Sequence, residues 1–205
     1  MRRPEIIAKQ GGMPLGLLGR IVAPVMERET APVNRHAVEL LNPQPGETVL
    51  DVGSGNGLSL GHIASLVGGG LVAGVDHSPV MCRRAVRINK QLISDGRVRV
   101  ERSRSDDLPF DTGFFDAAVS VHTLYFWNPA EPHLREIARV LRPRGRIVLA
   151  FRPDTDPATS DFPTSVYTFR SPDAVQGLLR SCGFEDINFE SSFDSVILSC
   201  ATRSK

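Results

Sequence analysis

Three glycines at alternate positions, Gly53, Gly55 and Gly57, stand between an apolar, β-prone run that ends in Asp51-Val52 and a helix-competent run that opens at Leu58. Without Cβ atoms the chain can turn tightly there and approach a ligand closely. The helix that follows points its first N–H groups and its positive dipole end at the same spot, which suits a carboxylate or a phosphate. Asp51, at the carboxyl end of the strand, adds an acceptor that can orient the loop or meet an ammonium group, and Ser54 and Asn56 fill the intervening positions. The spacing excludes two phosphate-binding loops. A G-x-G-x-x-G fingerprint needs its third glycine where Leu58 stands, and no Gly-Lys-Ser/Thr follows.

A second apolar run, 71–75, ends in Asp76, where α/β nucleotide-binding units place the carboxylate that accepts from ribose hydroxyls. Its two oxygens can hold both hydroxyls of a diol. The competing use of Asp76 is as N-cap of a helix beginning near Pro79, although Ser78 is better placed for that. His77 either packs against a heterocycle or is an exposed turn residue. Farther on, SVHTLYFWNP (120–129) carries Val121 and His122, the latter a candidate general base or a pocket-lining residue. Tyr125, Phe126 and Trp127 form either an apolar or cation-binding wall or part of the core.

The elements that must position these residues alternate. Strands are expected at 48–52, 71–75, 98–101, 115–121 and 146–151, and helices at 58–66, 79–93 and 131–141. Such alternation predicts an α/β, doubly wound, mostly parallel sheet with helices on both faces, and chemistry at the carboxyl edge of its strands. A helix from 172 to about 182 and strands at 184–191 and 195–201 follow. The segment 152–163, rich in Pro, Asp and Thr, reads as a mobile loop over that edge. Near the N-terminus, Arg2 and Arg3 precede an apolar stretch, 13–26, that Arg20 and two prolines interrupt, which suits neither a signal peptide nor a membrane span. A helix at 31–41 ends at Asn42-Pro43.

With 205 residues, 41% of them hydrophobic, and a net charge of +1, the chain reads as a single domain able to bury a full core, with no electrostatic footprint for nucleic acid. Cys82, Cys182 and Cys200 are odd in number and far apart, which fits free thiols in a reducing cytoplasm and no metal site.

Taken together, VLDVGSGNG (49–57), LVAGVDHSP (71–79), DDLPFDTGFFDAAVS (106–120) and RVLRPRGRIVLAF (139–151) resemble the ordered motifs of class I S-adenosylmethionine-dependent methyltransferases. The resemblance lies with the broad group that includes ubiquinone and menaquinone C-methyltransferases and many small-molecule enzymes. It implies a Rossmann-like sheet of seven strands closed by a C-terminal antiparallel hairpin. It also implies S-adenosylmethionine as methyl donor, with S-adenosylhomocysteine as product. Residues 1–41 would form a helical lid on a cofactor-binding domain of 42–205. Asp51, Gly53, Ser54, Gly55, Asn56, Gly57, Asp76, His77, Val121 and His122 would contact the cofactor. At the adenine position the match departs: Arg104 stands where many relatives carry an acidic or small polar residue. Three readings are open there, namely stacking by Arg104, substitution by Asp106, or a backbone contact from Ser105, which is favoured. The expected acceptor is a small or medium-sized organic molecule methylated at O, N or C. The chain lacks the Pro-Pro-aromatic motif of nucleobase amino methylation and a Pro-Cys nucleophile pair. No nucleic-acid partner and no stable membrane insertion are expected, and the oligomeric state is open. A cofactor-binding protein without turnover and an NAD-type oxidoreductase are the alternatives.

Overall fold

The structure, a computed structural model, describes Glu5, Ala8, Gly11, residues 30–192 and residues 195–202. The apolar stretch 13–26 lies outside the described residues. Helix α1 covers 30–41 and stops at Asn42, whose positive φ of 49° lets its N–H close the last turn onto Val38 and Glu39 carbonyls before Pro43. Then follow β1 (Val49–Val52), α2 (Leu58–Leu66), β2 (Val72–Asp76), α3 (Pro79–Ile88), α4 (Lys90–Ser94), β3 (Val98–Arg102), β4 (Phe115–Val121), α5 (Glu131–Val140), β5 (Leu141–Phe151), α6 (Pro172–Ser181), β6 (Phe184–Ser192) and β7 (Ser195–Thr202).

The seven strands form one sheet in the order β3-β2-β1-β4-β5-β7-β6. β1 to β5 are parallel, and β7 is antiparallel to both neighbours. Buried residues alternate along each strand between two apolar layers. Leu50, Val52 and Ala73 pack with Leu134 and Ile137 of α5 and with Val175 of α6, while Val49 and Val72 pack with Leu41 of α1 and with Leu60 and Ile63 of α2. Chain direction across the sheet reverses between β1 and β4, so a crevice opens above the carboxyl ends of these two strands.

Three expectations need correction. The single helix at 79–93 is broken at Asn89, because that buried side chain donates to the Ala85 carbonyl at 3.0 Å and to the Gly57 carbonyl at 2.8 Å and so competes with the helical ladder. β5 begins at Leu141 rather than 146: Phe115 pairs with Leu141 and Ala117 with Arg146, so the residues between bulge out of register. The segment 152–163 is not irregular throughout. It contains a 3₁₀ helix, Pro157–Asp161, capped by Asp156 accepting from the Ala158 N–H at 2.8 Å, and Asp156 pairs with Arg152 at 3.3 Å.

Candidate active site

The glycine loop leaves β1 and crosses the crevice beside Thr123, the second residue after β4. All three glycines have positive φ, yet each answers a different demand. A Cβ at Gly53 would collide with the Thr123 methyl, and one at Gly57 would lie 2.7 Å from Cβ of Ala85 on α3. A Cβ at Gly55 would meet nothing within 4 Å. Gly53 and Gly57 are therefore packing glycines, and Gly55 is the one whose bare backbone fronts open space.

The loop's amides are not held ready for an anion. Gly53 and Ser54 both donate to the Val75 carbonyl, at 2.8 and 3.0 Å, and Gly57 donates to Ser54. Gly55 donates to Asp76 at 3.0 Å, and Leu58 to the Asn56 side chain at 3.1 Å. Of the first N–H groups of α2, that of Leu58 is engaged in this way. This loop presents shape and a buried carboxylate rather than a phosphate cradle.

Asp76 accepts with both oxygens, from Gly55 and from the Ser78 N–H at 2.8 Å, and so ties the loop to the end of β2. Ser78 is the N-cap of α3, its hydroxyl oxygen accepting from the Met81 N–H at 3.4 Å. Burial raises the Asp76 carboxyl, opposed by these two N–H bonds and by His77 nearby. Asp51 is 5% exposed and accepts from the Ser59 hydroxyl of α2. Burial pushes it up to about 6, and the Asp76 charge adds to the rise. The Ser54 hydroxyl is buried without a hydrogen-bond partner.

These groups open into one cavity of about 1390 Å³. Of the residues expected from the sequence, Asp51, Gly53, Ser54, Gly55, Asn56, Asp76, His77, Arg104, Ser105, Val121 and His122 line it, whereas Gly57 and Asp106 lie off its wall. Arg104 turns back on Asp106 with bonds of 2.6 and 2.8 Å, which hold the Asp106 carboxyl down to about 2. The carboxylate that was to substitute at the adenine position is therefore already paired.

His122 has φ 57°, a conformation that aims its side chain off the end of β4. Its Nδ1 lies 2.6 Å from Tyr125 Oη, which also accepts from the Arg152 N–H at 2.6 Å. Tyr125 is buried in the core, while Phe126 and Trp127 reach the cavity wall. Arg170 holds this wall by donating to the carbonyls of Leu124 at 3.2 Å and Trp127 at 2.7 Å. Gly11, Ser165 and Val166 also line the cavity, as does His133 of α5, whose ring stacks on Trp127 with centroids 5.2 Å apart. The sequence carries no local signal for Ser165, Val166 or His133. No group of three or more His, Cys, Asp or Glu among the described residues could hold a metal ion.

A buried acid at the end of β1 and an acid with two acceptor oxygens at the end of β2, joined by a loop whose Gly53, Ser54 and Gly55 amides are already engaged, suit a nucleoside joined to an amino acid. A family model described as a methyltransferase domain matches residues 50–149. The demethylmenaquinone methyltransferase of Tropheryma whipplei is 30% identical over 196 residues, which cover 82% of this chain and 80% of that one. The chain belongs to the S-adenosylmethionine-dependent methyltransferases. Another relative in this group, the O-methyltransferase cnsE of Penicillium expansum, is 30% identical over 166 residues, covering 78% of this chain and 60% of that one. The chain spans 60% and 67% of the length of two O-methyltransferase relatives and 36% of an uncharacterized protein of a Streptomyces fradiae transposon. In fold, this methyltransferase is similar to the methyltransferase solved in complex with the Haloferax volcanii Trm112 activator. The TM-score is 0.78 at 20% identity, covering 89% of this chain and 93% of that one.

Proposed function

We propose that this chain transfers a methyl group from S-adenosylmethionine to an O, N or C atom of a small or medium-sized organic acceptor. The observation that carries the reading is the continuity of the cavity, which runs from Asp76 past Gly55 to His122 and Phe126. At about 1390 Å³ it exceeds the roughly 300 to 1,000 Å³ usual for one small ligand, so it has room for cofactor and acceptor together.

When bound, the cofactor supplies a methyl group on a sulfonium sulfur, already activated for in-line displacement. The protein's task is alignment, worth several kcal/mol through effective molarity. Asp76 accepts from the ribose hydroxyls with the lone pairs that its two N–H bonds leave. Gly55 lets the chain lie against the cofactor without a side chain. Asp51, protonated more readily than an ordinary carboxyl, regains its charge opposite an ammonium group, and the Ser54 hydroxyl gains a partner. His122 stands past β4, beside the acceptor space. For its Nε2 to take a proton from an acceptor O–H or N–H, Nδ1 must carry its own hydrogen and donate to Tyr125 Oη. The lid reading of residues 1–41 is supported by the described ones among them, since Ala8 is buried with its carbonyl accepting from Tyr167 at 3.2 Å and Gly11 reaches the cavity, while the rest of 1–29 apart from Glu5 lies outside the described residues. No helix among the described residues is long and apolar enough to cross a membrane, and the proposed setting is the cytoplasm.

Calorimetric titration with S-adenosylmethionine, S-adenosylhomocysteine and NAD tests the first half of this reading. Binding of the first two without an NAD response is expected, and the reverse pattern overturns it. An acceptor screen that reads methylated product by mass then tests turnover. If His122 is the base, His122→Ala lowers turnover about a hundredfold or more with cofactor affinity nearly intact. Equal turnover rules the base role out.

A further inference from the structure

The 24 cations and 23 anions of the chain are unevenly spread. No acid stands between Asp76 and Asp95, yet Arg83, Arg84, Arg87 and Lys90 fall in that interval, which leaves 20 cations against 23 anions in the rest of the chain. The interval folds as α3 and α4. Met81, Cys82, Ala85 and Asn89 are buried, and this turns Arg83, Arg87 and Lys90, at helical spacing, to the outer face. Arg102, at the end of the edge strand β3, joins them. Its Nε lies 3.5 Å from the His77 carbonyl oxygen, two residues before α3.

These cations differ from most of the others on the surface. Arg99 is paired with Glu101, Arg104 with Asp106, Arg139 with Glu136, Arg144 with Glu185 and Arg146 with Glu47. Among the described residues, Arg83, Arg87, Lys90 and Arg102 have no carboxylate partner. Val86 and Ile88, 45% and 42% exposed, flank the row on its two sides. Free cations along the crest of a helix, with apolar side chains at its flanks, fit a sheet of phosphates that has an apolar layer just beneath. A nucleic-acid duplex offers the phosphates without that layer.

We propose that the outer face of α3 docks on membrane surfaces rich in anionic phospholipid, where Arg83, Arg87, Lys90 and Arg102 meet the phosphates and Val86 and Ile88 meet the edge of the acyl layer. The chain lies on such a surface and does not cross it. His77 and Met81, at the start of α3, line the cavity, so docking holds the cavity beside the lipid. This inference is independent of the methyltransferase reading.

Sedimentation of the full chain with vesicles tests it. Phosphatidylcholine vesicles with about one-third phosphatidylglycerol should bind at least about tenfold more tightly than phosphatidylcholine alone, and added salt should remove the difference. One cation at such a surface is worth about fivefold, so Arg83→Glu combined with Arg87→Glu should weaken binding by at least about tenfold, with the fold intact by circular dichroism. Arg83→Lys with Arg87→Lys should retain binding. Arg135→Glu with Arg180→Glu, at exposed positions on α5 and α6, changes the net charge equally and should leave binding nearly intact. Equal losses in the two Glu pairs would show a response to net charge alone and overturn the proposal. Full binding by the α3 pair would overturn it too, leaving the lipid contact to residues such as 13–26. Absence of wild-type binding to the anionic vesicles also overturns it, and binding of a DNA duplex in their place would assign the face to nucleic acid.

Discussion

Under the proposed function, the buried Asp51 trades stability for binding. Folding raises its carboxyl from 3.8 to about 6. Between those values the native state binds more protons than the unfolded chain, so Asp51 favours folding at low pH and that contribution is lost as pH rises through the window. At pH 8 the ionised group is buried opposite Asp76. Asp51→Asn keeps an acceptor for Ser59 and is expected to stabilise the ligand-free protein by about 1 to 3 kcal/mol at pH 8, read as a higher melting temperature. The same variant should bind S-adenosylmethionine more weakly. A lower melting temperature at pH 8 would show that Asp51 is not strained by its burial. Asp76 behaves differently, because its oxygens also fasten Gly55 and Ser78. Asp76→Ala should weaken S-adenosylmethionine by at least about 1 to 2 kcal/mol, and unchanged affinity would sink the ribose assignment.

At the scale of elements, the loop between β1 and α2 is fitted to two neighbours that are remote in sequence. Gly57 meets α3 at Ala85, and its carbonyl accepts from Asn89, so α2 and α3 pack through a glycine. Gly57→Ala combines that collision with a φ of 77° and should cost about 2 to 4 kcal/mol of stability in chemical denaturation. Gly55→Ala carries only the left-handed backbone penalty of about 1 to 2 kcal/mol, with φ 55° and no close neighbour. Its loss should be read chiefly in cofactor affinity. Equal stability losses at both positions would mean that the division of the loop into packing and ligand-facing glycines is wrong.

At the scale of the molecule, Arg146 on β5 joins α1 to the sheet. Its guanidinium donates to the carbonyls of Leu41 at 2.8 Å and Asn42 at 2.9 Å, and pairs with Glu47 at 2.7 and 2.8 Å. The bonds from Arg146 hold the Glu47 carboxyl below its ordinary 4.5. That contribution is present above the unfolded value and is lost as pH falls through the folded one. Arg146→Leu should therefore destabilise the protein by about 1 to 3 kcal/mol at pH 7, and the gap to wild type should narrow in acid below 4.5. A gap independent of pH would assign the effect to the carbonyl bonds alone. Because α1 supplies Asn34 and Arg35 to the cavity, the same variant tests whether the docking of α1 shapes the site.

The alternating sheet, the glycine turn and the acids at the ends of β1 and β2 were legible in the chain of residues, because these are local: a period, a missing Cβ, a residue at a strand terminus. Arg104 stood out only against the motif of the family that the chain resembles. What those groups face came from packing. The loop amides are spent on Val75 and Asp76, Asp106 is spent on Arg104, and Tyr125 leaves the wall for the core. Ser165, Val166 and His133 come to the cavity from far along the chain. Hydrogen-bond partners and burial are properties of the packed crevice between β1 and β4, formed by segments that no local pattern joins.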